Sequence, residues 1–336
     1  MKKNAQNFVW AAAGAAVLAL AAAAVTAGCS KKESAYPVKP VTCIIPYAPG
    51  GGSDTLTRAV MKAIKLPGGQ PLVGVNTEGA AGYTGAVRTF NSAPDGYTIM
   101  THNTMDVLAY FESGQDNVPL WSELTTIALV VSDYNLVCTN KTAASQNGWK
   151  SIEDVVAWVK EHPGEKLRWG TVGAQTVNMV DTKRIARELG IYDSIVFVPY
   201  DGGANSRTAA LANEIQLETC TASEIPGVVA SGDNIPLMVV NDKRIASNPD
   251  VPTTVEKGVN VTTAKPRGYF GPKGMNAAHV KTLSDALKAV CEDSEFQATI
   301  KKLGFDINFV DGPAAVERTK AWVAELQPYF DEMKKQ

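Results

Sequence analysis

Two distant stretches of the chain follow one grammar. Cys43 to Ile64, CIIPYAPGGGSDTLTRAVMKAI, and Phe197 to Ile215, FVPYDGGANSRTAALANEI, each run from an apolar strand through Pro-Tyr and a glycine-rich turn into a helical pattern. Pro46-Tyr47 matches Pro199-Tyr200, Gly50 to Gly52 match Gly202 and Gly203, and Ser53 parallels Asn205 or Ser206. No fixed period surrounds them, so the chain is not a solenoid. If the likeness is not chance, it predicts one such element in each of two lobes, facing each other across a cleft.

Around these elements, short β-like runs alternate with amphipathic segments. Strands are expected at Val41–Pro46, Leu72–Asn76, Thr98–Thr101, Thr126–Val131, Asn135–Thr139, Leu167–Thr171, Val196–Pro199, Ile215–Thr219 and Ile235–Val240. Helices are expected at Asp54–Ile64, Ile152–Glu161, Asn178–Leu189 and Ser206–Ala212, with an amphipathic helix in the tail. The alternation argues for parallel α/β sheets, in which ligands sit at the carboxyl ends of the strands. Both glycine-rich turns fall there.

Such a turn is an anion cradle. Glycine lets the backbone approach a ligand, and the first N–H groups of the following helix have no intrahelical partner. Phosphate is a poor match: neither turn carries G-x-x-x-x-G-K-[ST] or G-x-G-x-x-G, and GAAGYTG at Gly79–Gly85 is no nucleotide fingerprint either. A carboxylate suits donors of this kind without a lysine, a metal or a cofactor.

The N-terminus limits where this happens. Met1-Lys2-Lys3 precedes an almost unbroken apolar run from Phe8 to Gly28, the form of a secretory signal, with a retained anchor helix as the alternative. VTAGC resembles a lipobox, which makes Cys29 the lipidated first residue of an extracytoplasmic protein held at a membrane surface, with 29–35 as a polar tether. Removing the first 28 of 336 residues leaves 308, more than a single core usually supports. The formal charge of −2 offers no basic stripe to a nucleic acid. Cys43, Cys138, Cys220 and Cys291 form no C-x-x-C pair and are expected as buried thiols, with one disulfide as the alternative.

Catalysis lacks a constellation. His102, His162 and His279 stand in no H-E-x-x-H, and no G-x-S-x-G elbow or S-x-x-K motif occurs. A binding protein is expected; a secreted enzyme or sensor acting on a small carboxylated compound is the alternative.

The residues also resemble a family, the tripartite tricarboxylate transporter receptors, or Bug receptors. The likeness runs in order through YPVKPVTCIIPYAPGGGSDTLTR, NTEGAAGYTGAVRTFNSAPDGYTIM, SIEDVVAWVKEHPGEKLRWGTVG, VPYDGGANSRTAALANEI, NDKRIASNPDVPTTVEKGV and RGYFGPKGMNAAHVKTLSDAL. It implies a type II periplasmic-binding-protein fold: two α/β lobes with a two-crossing hinge, capturing a small mono-, di- or tricarboxylate and delivering it, as a monomer, to integral membrane permease subunits. The resemblance and the cradles converge on Tyr47, Ala48, Gly51, Ser53, Asp54 and Asn103 from the first lobe. From the second they give Thr171, Gly173, Gln175, Asn178, Tyr200, Gly202 and Ala204. Asp54 is either a ligand acceptor or a helix-end charge. Where the family often has a Ser-rich loop with His, this chain has GAQTVNM, so the far end of its ligand is expected to differ from citrate.

Composition places the crossings near Val131–Tyr134 and Met238–Asn241. One lobe would then hold residues 36–132 and 240–336, and the other 133–239.

Overall fold

A computed structural model describes residues 35–112 and 121–333. The expected signal segment 1–28, the lipidation site Cys29 and all of the tether except Ala35 lie outside the described residues.

The described strands are β1 (Val41–Ile45), β2 (Leu72–Asn76), β3 (Thr98–Asn103), β4 (Thr125–Asn140), β5 (Leu167–Val172), β6 (Ile195–Tyr200), β7 (Leu217–Thr221), β8 (Asn234–Val239), β9 (Ala264–Gly271) and β10 (Asp306–Asp311). The helices are α1 (Gly52–Ala63), α2 (Tyr83–Phe90), α3 (Thr104–Glu112), α4 (Lys141–Asn147), α5 (Ile152–Glu161), α6 (Val177–Glu188), α7 (Gly203–Leu211), α8 (Pro226–Ala230), α9 (Ala277–Glu292), α10 (Ser294–Lys302) and α11 (Gly312–Met333).

The strands form two sheets that share β4. In the first, β2, β1 and β3 run parallel, and β9, β4 and β10 follow in antiparallel pairings. In the second, β6, β5 and β7 run parallel, β7 pairs antiparallel with the second half of β4, and β8 lies on its other side. The sheets are therefore mixed rather than wholly parallel. The parallel strands carry the glycine-rich turns at their carboxyl ends, where helices α1 and α7 begin.

Two of the expected strands are one. Thr126–Val131 and Asn135–Thr139 join through Ser132-Asp133-Tyr134 into the 16-residue β4. This polar stretch reads as a break, yet Ser132 and Asp133 are buried. The strand can continue because distant groups satisfy them: Asn308 Nδ2 donates to Ser132 Oγ at 2.9 Å, and Arg267 and Ser223 bind the Asp133 carboxylate.

The segment after β8 packs against the second sheet. Val240, Val259 and Val261 are buried in the core of the second sheet with Trp149, Trp169 and Leu217. Ile245 packs with Leu136 and Cys220, and Thr254 N donates to Val239 O at 2.8 Å. Residues 240–263 thus belong with the second sheet, and the chain returns to the first at β9 rather than near Met238–Asn241. Apolar burial holds this segment where it is.

Among the described residues, Cys43, Cys138, Cys220 and Cys291 are free and buried. Cys138 Sγ and Cys220 Sγ lie 3.5 Å apart on paired strands β4 and β7.

Candidate functional site

Between the two glycine-rich turns lies a cleft of about 360 Å³. Pro46, Tyr47, Ala48 and Gly51 line it from the end of β1, and Asp201, Gly202, Gly203, Ala204 and Asn205 from the end of β6. The hinge strand β9 adds Lys265 and Arg267, and Glu78, Asp106, Asn178, Thr221 and Glu224 complete much of the wall.

Of the expected residues, the cleft brings together Tyr47, Ala48, Gly51, Asn178, Gly202 and Ala204. The others stand behind or beside it. Ser53 is buried, its Oγ accepting from Arg267 Nη1 at 2.9 Å. Asn103 is the last residue of β3: its Oδ1 accepts from Met105 N at 2.9 Å, and its Nδ2 donates to Asp106 Oδ2 at 3.1 Å. It therefore positions a lining residue rather than lining the cleft itself. Thr171 is inside β5, fully buried and in register with Pro199 and Thr219. Gly173 takes a positive φ of 66° and donates its N–H to Tyr200 O at 2.8 Å, which shapes the turn. Gln175 is exposed on that turn. Tyr200 packs on Ala209, Ala210 and Ile215.

Asp54 faces elsewhere, onto a separate surface groove with Arg58 and Lys62. Its carboxylate accepts from Gly50 N at 2.9 Å, Arg58 Nε at 2.9 Å and Asn76 Nδ2 at 3.1 Å. Burial pushes its pKa up, but these donors outweigh it and hold the carboxyl below its ordinary value. Of the two readings of Asp54, the helix-end role fits this geometry.

The residues that pattern reading missed carry the charge of the cleft. Lys265 is 2% exposed. Its Nζ donates to Asn178 Oδ1 at 2.8 Å and Thr221 Oγ1 at 3.3 Å, both neutral, and among the described residues no carboxylate lies within ion-pair distance of it. A buried charge without a counter-charge is costly. Arg267, by contrast, is neutralised: its Nη2 lies 3.0 Å from Asp133 Oδ2. Neither residue stands near a glycine-rich turn in sequence. Their signal is the alternation Lys265, Arg267, Tyr269 along one face of a strand, which only the pairing of β9 makes visible.

The first cradle is already engaged. Gly52, the first residue of α1, donates its N–H to Glu224 Oε1 at 3.2 Å. A Cβ on Gly52 would lie 2.7 Å from Arg267 Nη2, and one on Gly203 would lie 2.1 Å from Glu224 Oε2, so either would displace the end of that side chain. The second cradle opens α7, whose first turn begins with Gly203, Ala204 and Asn205, and the first helical hydrogen bond there runs from Ser206 N to Gly202 O at 3.2 Å. Behind the first cradle, Tyr47 Oη donates to Asp106 Oδ2 at 3.2 Å, and the Tyr47 ring meets His102 edge-on at 5.4 Å between centroids. Burial holds the His102 imidazole down at about 4, so it is neutral at physiological pH.

This arrangement can hold a small polar solute between two α/β halves, and known proteins share the fold. The fold matches the periplasmic binding protein BugD with a TM-score of 0.78 at 23% identity, over 89% of this chain and 98% of that one. A Rhodopseudomonas palustris protein solved with adipate matches with a TM-score of 0.81 at 19% identity, over 90% of this chain and 99% of that one. MatC from the same organism, solved with bound malate, gives 0.73 at 22%, over 89% and 99%. In sequence, the protein BugT of Bordetella pertussis is 27% identical over 74% of this chain and 76% of its own length. A Cupriavidus necator protein described as UPF0065 protein in gbd 5'region is 27% identical over 88% and 86%. The family model described as tripartite tricarboxylate transporter family receptor matches residues 56–317. With most of the chain matched, a fold shared with its solved relatives and a cleft between the two repeated turns, the chain belongs to the tripartite tricarboxylate transporter receptor family.

Proposed function

We propose that this protein is an extracytoplasmic receptor that captures a small mono-, di- or tricarboxylate in the cleft and delivers it to integral membrane permease subunits. It acts by binding, not by catalysis. The observation that carries the reading is Lys265, a buried cation on the cleft wall with only neutral partners. A ligand carboxylate would give it a direct ion-pair partner, and a charge-assisted hydrogen bond of this kind is worth about 1.5–3 kcal/mol. The N–H groups opening α7 add donors on the other wall. Solved relatives containing malate and adipate support the same chemistry. Anchoring through lipid on Cys29 completes the proposal, and mass spectrometry of the mature N-terminus tests it: an unlipidated terminus counts against the anchor.

Melting of the protein lacking its N-terminal segment, measured with carboxylates, sugars, phosphate esters and uncharged amides, tests the ligand class. Carboxylates are expected to raise the melting temperature. Stabilisation by sugars or phosphate esters alone would sink the reading.

A further inference from the structure

We infer that the ligand carries an ammonium group beside its carboxylate, and that Asp106 and Glu224 are the acceptors that select it. The inference rests on the carboxylate reading above and narrows it.

The charge of the cleft is the first reason. Four acids line it, Glu78, Asp106, Asp201 and Glu224, against two cations, Lys265 and Arg267. Arg267 is already neutralised by Asp133, which leaves Lys265 alone to balance four carboxylates. Glu78 and Asp201 are exposed, whereas Asp106 is buried and Glu224 half-buried, so a ligand with several carboxylates and nothing else would meet its strongest repulsion from Asp106 and Glu224.

The second reason is independent and lies in the hydrogen bonds. Asp106 is 4% exposed; its Oδ2 accepts from Tyr47 and Asn103, while its Oδ1 is buried without a partner. Glu224 repeats the pattern across the cleft. Its Oε1 accepts from Gly52 N, and its Oε2 is buried without a partner. Buried carboxylate oxygens call for donors. An ammonium brings three donors and the positive charge that the acids lack. Metal ions fit less well, because among the described residues no three acidic, His or Cys groups are arranged to hold one.

Glu224 also explains how the chain accommodates such a ligand on a scaffold built for anions. Its carboxylate occupies the N-terminus of α1 and lies against Gly203 at the start of α7, with Arg207 Nη1 of α7 holding its carbonyl oxygen. A carboxylate of the protein itself thus stands between the two helix ends, where an acid group of a polyanionic ligand would otherwise compete for the same N–H groups.

Matched pairs of ligands test the inference on the wild-type protein. Calorimetric titration and melting are measured with succinate against aspartate, glutarate against glutamate and adipate against 2-aminoadipate. The other standard amino acids, the diamine cadaverine, and magnesium and calcium chloride complete the panel. At least one amino-bearing acid is expected to bind at least tenfold tighter than its amine-free counterpart. Asp106→Asn and Glu224→Gln are each expected to shrink the ratio of amino-bearing to amine-free affinity by at least about threefold, read as the ratio within each variant. Equal or tighter binding of the amine-free acids overturns the inference and leaves the carboxylate reading standing. Binding of cadaverine or of the metal salts with no acid bound overturns both. Failure of every amino-bearing acid to bind overturns the inference whatever the variants do.

Discussion

Asp133 Oδ2 lies 3.0 Å from both Nε and Nη2 of Arg267, in an ion pair whose side chains are at most 4% exposed. The pair sits where β4 passes from one sheet to the other. Ser223 Oγ of the second half donates to the same carboxylate at 2.6 Å, and Arg267 Nη1 donates to Ser53 Oγ on α1 of the first. Both halves of the molecule therefore meet on one carboxylate.

Replacing Asp133 with Asn leaves Arg267 buried without a counter-charge. Breaking a buried pair by removing one partner costs about 3–5 kcal/mol. Urea unfolding of the variant is expected to show a loss of this size, and a loss below about 1 kcal/mol would show that solvent reaches the pair.

Lys265→Met removes the cation proposed to hold the ligand carboxylate while keeping most of the side-chain volume. Asn178 Oδ1 still receives the Asn135 amide at 3.1 Å, so this acceptor is not left bare. Stability is expected to hold or rise, and carboxylate affinity to fall by about tenfold or more, as loss of a charge-assisted hydrogen bond implies. Affinity unchanged in a titration would remove Lys265 from the site.

Asp54→Asn separates the helix end from the cleft. The carboxylate reaches back to Gly50 N and holds Arg58 in an i,i+4 pair, so its loss is expected to cost about 1 kcal/mol in the ligand-free melt. Affinity is expected to stay within a factor of about two, because Asp54 is not on the cleft wall. A tenfold loss would contradict this placement.

Glu218 supplies a pH test. It is 1% exposed beside Asn234, and burial pushes its carboxyl up to about 7 from 4.5. For an acid with a raised folded pKa, the folded state holds the extra proton. The contribution is thus fully present below about 4.5 and lost as pH rises through about 7. Glu218→Gln cannot ionise, so its stability relative to wild type is expected to rise between pH 5 and pH 8. The size of the gain is on the order of 3 kcal/mol. A constant difference across that range, measured by chemical unfolding, would show that Glu218 titrates normally.

Local pattern carried far into this structure. The ends of β2 and α5 follow from apolar periodicity and from the Ser151–Asp154 capping box, and both glycine-rich turns follow from composition. What pattern could not carry was pairing. Ser132 and Asp133 look like a loop until Arg267, more than a hundred residues later, neutralises the carboxylate. Residues 240–263 are assigned to the first lobe by composition, yet Val259 and Val261 lie in a core with Trp169. The cleft divides in the same way. Tyr47, Gly51, Gly202 and Ala204 are local features of the turns, whereas Lys265 and Glu224 reach the wall through β9 and the turn after β7.

The 16 residues of β4 span roughly 50 Å at about 3.3 Å per residue. They tie the two sheets together with no loop between them, and 14 of them are buried. A rod of this kind cannot swivel at a point. Any rotation of one half against the other would be spread as small torsions over many peptide units, most of them held by ladder bonds. The resistance then grows with the angle, as in a torsion bar, and the strand returns the halves to their resting pose once the load is gone.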